Sequence, residues 1–183
     1  MRLNVRFAGA GGQGVISSSV LLAKAYGIGE DYNVSQTQSY GPEARGGACK
    51  AEVVVSDENI DYMKVDDVDV FIAYNQTGYD KYCAELDDTD TVLINSTLVE
   101  TKNPQHYEIP GTAIAEEMGN PTVVNMVMLG ALTKLLPKLH YDKVIRFIRE
   151  DFSASLAASN IEAFDRGYKY MEEELIRRLK TQS

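Results

Sequence analysis

The sequence predicts an α/β fold, a doubly wound and mostly parallel sheet followed by a C-terminal helical segment. Three observations carry this expectation. Short β-favouring runs alternate with helical ones up to residue 118, a glycine-rich turn joins the first strand to the first helix, and from residue 119 onward the pattern is helical. At 183 residues the chain is long enough to bury a sizeable core as one domain, 1–183, with a sheet-bearing part at 1–118 and a helical part at 119–183.

The elements follow in order. Residues 3–8 are a strand, and Gly9-Ala10-Gly11-Gly12-Gln13-Gly14 follows at once. Residues 15–26 form a helix stopped by Gly27 and Gly29. Residues 33–38 and 51–55 are strands separated by a loop at 39–47. The runs at 68–74 and 91–94 are apolar and rich in β-branched residues, the pattern of buried parallel strands, with a short helix at 77–86 between them. Asn120-Pro121 is a cap followed by a first-turn proline, opening a helix from Thr122 that ends at Pro137. A second helix covers 141–151. A third, from Asn160, sets Ile161, Phe164, Tyr168, Met171, Leu175 and Leu179 on one stripe at steps of three and four, as core or subunit contact.

Composition excludes several classes. With 44% hydrophobic and 25% charged residues the chain is globular. A formal net charge of -9 without a basic stripe argues against nucleic acid as a partner. The only cysteines, Cys49 and Cys83, lack metal-ligand spacing and cannot alone supply the four ligands of a cubane cluster or a structural zinc; two small buried thiols in a reducing cytosol are expected. His106 and His140 lie far apart in polar connecting stretches and read as surface histidines. The chain enters a strand directly, leaving no room for a signal peptide, and its longest apolar run, 122–136, is too short for a membrane span and is broken by Asn125 and Lys134. A cytoplasmic protein with no membrane partner is expected.

Gly9, Gly11 and Gly14 satisfy the spacing of a dinucleotide-type, Rossmann-like loop in the required context, after a strand and before a helix. Glycines let backbone approach a diphosphate, and the helix start presents unpaired N–H groups and the positive end of its dipole. Ser17, Ser18 and Ser19 add hydroxyls. A dinucleotide site also needs an acid at the end of the second strand. Here that strand ends Ser35-Gln36-Thr37-Gln38, and Glu30 and Asp31 precede it. The loop therefore serves either helix–strand packing or a phosphate of another kind. No nucleoside-triphosphatase loop is present.

The segment Ser39-Tyr40-Gly41-Pro42-Glu43-Ala44-Arg45-Gly46-Gly47 is a second unusual loop. Gly41-Pro42 makes a turn, Gly46-Gly47 permits close backbone approach, and Arg45 offers a planar five-donor cation. The alternative is a surface turn with Arg45 paired to Glu43 or to solvent. In an open parallel sheet, ligands lie beyond the carboxyl ends of the strands, and there this chain places both loops together with Asn75-Gln76 and Asn95-Ser96-Thr97. Asn and Ser are also common turn formers at such ends. No self-sufficient catalytic set appears, so the chain reads as a binding or assembly subunit.

Residues 9–15, the 39–47 segment, Asn75-Gln76 closing Val-Phe-Ile-Ala-Tyr, and Val92-Leu93-Ile94-Asn95-Ser96 together resemble the gamma subunit of the 2-oxoacid:ferredoxin oxidoreductases. The resemblance spans nearly the whole chain, and its specificity is concentrated before residue 98. It implies a multi-subunit enzyme that oxidatively decarboxylates a 2-oxoacid with coenzyme A, yielding an acyl-CoA, carbon dioxide and reduced ferredoxin. Thiamine diphosphate is then expected between alpha and beta subunits and iron–sulfur clusters on other chains, a delta subunit being a further candidate partner, with ferredoxin as electron acceptor. The gamma piece would help bind coenzyme A, whose diphosphate suits a glycine loop without a ribose-binding acid. The candidate cofactor-binding residues are Gly9, Gly11, Gly12, Gln13, Gly14, Tyr40, Gly41, Arg45, Gly46, Gly47, Asn75, Gln76, Asn95 and Ser96, with no catalytic residue and no metal ligand. The Ser-Tyr-Gly-Pro-Glu form looks most like 2-oxoglutarate-type chains; pyruvate or branched-chain members, a free-standing NAD-dependent oxidoreductase and an acyl-CoA-sensing regulatory domain are the alternatives.

Overall fold

The computed structural model describes the whole chain except residues 42–47, 89 and 182–183. Its six strands are β1 (Arg2–Ala10), β2 (Asn33–Tyr40), β3 (Ala48–Ser56), β4 (Val70–Ala73), β5 (Thr91–Asn95) and β6 (Tyr107–Ile109), in the spatial order β2-β3-β1-β4-β5-β6. β4, β5 and β6 run parallel to β1, whereas β3 is antiparallel to both β1 and β2. Five strands therefore share one direction and β3 alone is reversed. The helices are α1 (Val15–Lys24), α2 (Gln76–Tyr82), α3 (Gly111–Glu117), α4 (Val124–Leu135), α5 (Tyr141–Asp151) and α6 (Ala154–Thr181).

Alternation along the strands divides the core. Val5, Phe7, Val53, Ile72 and Leu93 point to the face covered by α1, α4, α5 and α6. Ala8, Val54, Phe71, Val92 and Ile94 point the other way, to Tyr82 of α2 and to Val65 and Val68. On that second face Arg6 is buried and its Nε donates to Glu52 Oε1 at 2.8 Å, a pair set by the β1–β3 register. Arg6 Nη1 donates to Glu85 Oε2 at 2.8 Å and Nη2 to the Val65 carbonyl at 3.2 Å, so the buried charges are satisfied.

The helical half is held by a close crossing. A side chain at Gly167 of α6 would collide with the Val127 carbonyl of α4, and one at Gly130 would collide with that of Phe164. The two glycines let the helices touch backbone to backbone. α6 starts at Ala154, six residues earlier than the apolar stripe predicts, because Ala157 and Asn160 are also buried. Phe164 and Met171 of the stripe are buried, Leu175 is half-buried and Leu179 is exposed, so the stripe leaves the core near its end. β6 and α3 are additions that the sequence pattern did not show: three residues make too short a run to register. The first helix also ends differently, passing into a π-helical turn at Ala25–Gly29.

His106 is a correction. It is buried, with Nδ1 3.0 Å from Thr101 Oγ1 and 3.3 Å from Tyr79 OH. Thr101, in the polar stretch that suggested a surface position, is one of its hydrogen-bond partners. His140 is exposed and pairs with Glu30 at 2.8 Å.

Candidate functional site

The carboxyl ends of β1, β2, β4 and β5 open on one edge of the sheet, and the reversed β3 begins there. The glycine loop sits at its centre. Gln13 braces it from within, its Oε1 accepting from the Ala10 N–H at 2.7 Å while its own N–H donates to the Ala10 carbonyl at 3.3 Å. Gly14 is the N-cap of α1 in the left-handed conformation (φ 75°), where a side chain is strained. Gly9 is enclosed by Gln13, Tyr74 and Val15, whereas Gly11 and Gly12 have nothing within 4 Å of a side-chain position. Gly9, Gln13 and Gly14 thus shape the loop, and Gly11 and Gly12 leave its backbone open.

The strand register brings Tyr40, near the start of the second motif, to this loop. Gly9 pairs with Cys49, and Cys49 pairs with Tyr40. Gly11, Gly12, Gly14, Ser17, Tyr40 and Cys49 line a depression of about 300 Å³. Tyr40 is 66% exposed, and burial pushes the Cys49 thiol pKa up, so this thiol stays protonated at neutral pH. Cys49 was expected only as a core residue; its place beside the loop depends on register. Gly41 is half-buried. Arg45, Gly46 and Gly47 lie outside the described residues.

The remaining candidates are engaged within the chain. Asn75 caps α2, its Oδ1 accepting from the Gly78 N–H at 2.9 Å. Gln76 Oε1 accepts from the Glu100 N–H at 2.8 Å and its Nε2 donates to Asp80 at 2.8 Å. Asn95 is fully buried; Nδ2 donates to the Tyr74 carbonyl and to Thr112 Oγ1, and Oδ1 accepts from the Thr112 N–H. Ser96 lines, with Gln76, a separate depression of about 560 Å³ at the same edge. Of the candidates, Gly11, Gly12, Gly14 and Tyr40 line the first depression and Gln76 and Ser96 the second.

Under the loop, the Tyr74 hydroxyl donates to Ser18 Oγ at 2.9 Å, and Ser18 Oγ donates to the Asn125 carbonyl at 3.3 Å. Burial holds the Tyr74 hydroxyl far above its ordinary pKa. No acidic residue lies in the first turn of α1. The ribose-acid position is absent for a topological reason as well. β3 stands between β1 and β2, so the end of β2 is not the neighbour of the glycine loop that a dinucleotide site requires.

A larger concavity, about 820 Å³, lies at the opposite edge between the last turns of α6 and the starts of β5 and β6. There Arg178 donates to the Gln105 and His106 carbonyls at 3.0 and 2.6 Å and lies over the Tyr107 ring. Among the described residues no group of three His, Cys, Asp or Glu could hold a metal, and no helix is long and apolar enough to cross a membrane.

Fold and edge together define a Rossmann-like α/β protein with a glycine loop between its first strand and first helix and no acidic residue in β2. Residues 4–170 match the pyruvate ferredoxin/flavodoxin oxidoreductase family, to which the chain belongs as a gamma-type subunit of a 2-oxoacid:ferredoxin oxidoreductase complex. It is 42% identical over 179 residues to the 2-oxoglutarate synthase subunit KorC of Methanocaldococcus jannaschii, covering 94% of this chain and 96% of that one. The gamma subunit of a keto/oxoacid ferredoxin oxidoreductase from Geobacter sulfurreducens superposes with TM-score 0.81 at 32% identity, over 93% of this chain and 99% of that one. The 2-oxoglutarate:ferredoxin oxidoreductase of Magnetococcus marinus, solved with 2-oxoglutarate, coenzyme A and succinyl-CoA bound, superposes with TM-score 0.84 at 26% identity, over 94% of this chain and 31% of that longer one.

Proposed function

We propose that this chain is the gamma subunit of a 2-oxoglutarate-type enzyme and that its glycine-loop edge receives coenzyme A. The observation that carries the proposal is the Gly9–Cys49–Tyr40 register, which sets Tyr40, near the start of the 39–47 segment, beside the glycine loop at one open depression. Gly11 and Gly12 leave backbone open to a diphosphate, the start of α1 supplies N–H donors and a positive dipole end, and Arg45, on the 39–47 segment, supplies a cation. The likeness to 2-oxoglutarate synthase subunits supports the choice of oxoacid.

In this account the chain performs no bond-making step. Thiamine diphosphate and iron–sulfur clusters, on the alpha, beta and further partner chains, supply the decarboxylation and electron-transfer chemistry toward ferredoxin. The gamma subunit holds coenzyme A by its phosphates so that the thiol end reaches the acyl group, an effect of positioning.

The test is reconstitution of the chain with its partner subunits, assayed by 2-oxoacid-dependent dye reduction. Turnover with 2-oxoglutarate should exceed that with pyruvate. Arg45→Ala should raise the KM for coenzyme A about tenfold or more, the loss of a charge-assisted phosphate contact, with kcat at saturating coenzyme A little changed. An unchanged KM in the assembled variant, or a preference for pyruvate, would refute the corresponding half. Heat stability that rises with NADH and not with coenzyme A would favour the dinucleotide alternative.

A further inference from the structure

β2 is an edge strand that lacks the usual protection of an edge. Among the described residues no strand pairs with its outer side, and none of its eight residues is buried. Sheet edges are normally blunted by lysine, proline, a bulge or shortness. β2 has no charged residue and no proline, and its register with β3 runs unbroken from Asn33 to Tyr40. The opposite edge, β6, is three residues long.

The side chains of β2 are ordered symmetrically. Ser35-Gln36-Thr37-Gln38-Ser39 reads the same in both directions. Two such strands laid antiparallel about Thr37 set Thr37 against Thr37, Gln36 against Gln38 and Ser35 against Ser39. Facing residues of an antiparallel pair must share one face of the sheet, and in this register they do, because each pair is an even number of positions apart. Hydroxyl pairs and aromatic–β-branched pairs are favourable across strands. The next pair outward is Val34 against Tyr40. Tyr40 is 66% exposed, and Ile28, 65% exposed, follows Gly27, whose side-chain position is 3.4 Å from Val34. The pairing therefore carries the exposed Tyr40 ring of one copy to Val34 and toward Ile28 of the other.

Charge permits the contact. Two chains of net charge -9 repel, yet the depression beside Thr37 and Ser39 is lined by Lys50, Lys64, Glu52 and Asp66, two of each sign. Glu52 faces Thr37 in the β2–β3 register, so it stands three strand spacings, about 14 Å, from its counterpart in the pair, beyond the screening length at physiological salt.

We propose that β2 is a self-recognition strand, on which a second copy of this chain pairs antiparallel about a two-fold axis through Thr37. The two sheets become one, and the isologous contact consumes the long edge of each, so association closes at a dimer. A strand pair is small beside a standard interface, so the free chain associates weakly, in the micromolar range. Tyr40 also lines the glycine-loop depression, and the second copy stands at its rim.

Sedimentation of the full chain over a dilution series should show a monomer–dimer equilibrium. Thr37→Lys sets like charges face to face at the axis, while Glu52 of the same copy remains opposite the new ammonium and favours the fold. The dissociation constant should rise about tenfold or more. Cysteine cross-linking reads the register. Thr37→Cys brings two thiols to a Cα separation of about 4.5 or 5.5 Å, within disulfide reach, and should give a linked dimer on mild oxidation. Ser35→Cys alone and Ser39→Cys alone should link no more than the unsubstituted chain, whereas the two mixed should link. A monomer at every dilution, no link from Thr37→Cys, or equal linkage at all three positions would overturn the proposal. So would a Thr37→Cys link to a partner subunit in place of a second copy in the assembled complex, which would assign the edge to that subunit. None of these readouts depends on coenzyme A, so their failure leaves the function proposed above standing.

Discussion

Gln13 and Gly14 show how a recognition motif can be mostly architecture. Gln13 closes the loop on Ala10, and Gly14 takes the left-handed turn that launches α1, while Gly11 and Gly12 have open space where a side chain would stand. His106 shows the converse, a residue without a motif whose environment is built. Burial first, and the nearby Arg178 guanidinium second, lower its pKa, so the neutral imidazole is the folded form. With the folded pKa below the unfolded value, the unfolded chain takes up the proton first on acidification. The contribution of neutral His106 to stability is thus complete above about pH 6.5 and is lost as the pH falls below it. The thermal midpoint should fall between about pH 7 and pH 5, and His106→Gln should flatten that slope. A slope unaltered by the substitution would place the sensitivity elsewhere.

At the scale of elements, the crossing of α4 and α6 is the most sensitive contact in the helical half. Gly167→Ala must push the Val127 carbonyl away, and the backbone has no flexible end that could yield. Chemical denaturation should show a loss of about 1–3 kcal/mol, the usual cost of overpacking, and a midpoint equal to that of the unsubstituted chain would show that the helices can slide apart freely. On the other face, the buried Arg6–Glu52 pair locks β1 to β3 and with it the register that sets Cys49 beside Gly9.

At the scale of the molecule, the role proposed above is that of a subunit that presents coenzyme A to the catalytic groups of its partners. On the proposed role, the choice of oxoacid belongs to the partner chains. Assembling this gamma subunit with the partner subunits of a pyruvate-type enzyme should give a complex that prefers pyruvate, read as the ratio of kcat/KM for the two acids. A preference for 2-oxoglutarate in that hybrid would transfer specificity to this chain.

Local chemistry was enough to read the strand–glycine–helix opening, the helix cap at Asn120 and most element positions, because each depends on neighbours a few residues away. The specific pair of loops at 9–15 and 39–47 made the family legible for the same reason. What the sequence could not contain was distance. That Asn75 and Asn95 are engaged in the fold, that His106 is buried, that β3 runs backward between β1 and β2, and that Asn125 lies on Gly14 are all consequences of contacts between remote segments. Side-chain type names what a residue can do; packing decides which of its atoms are left free to do it.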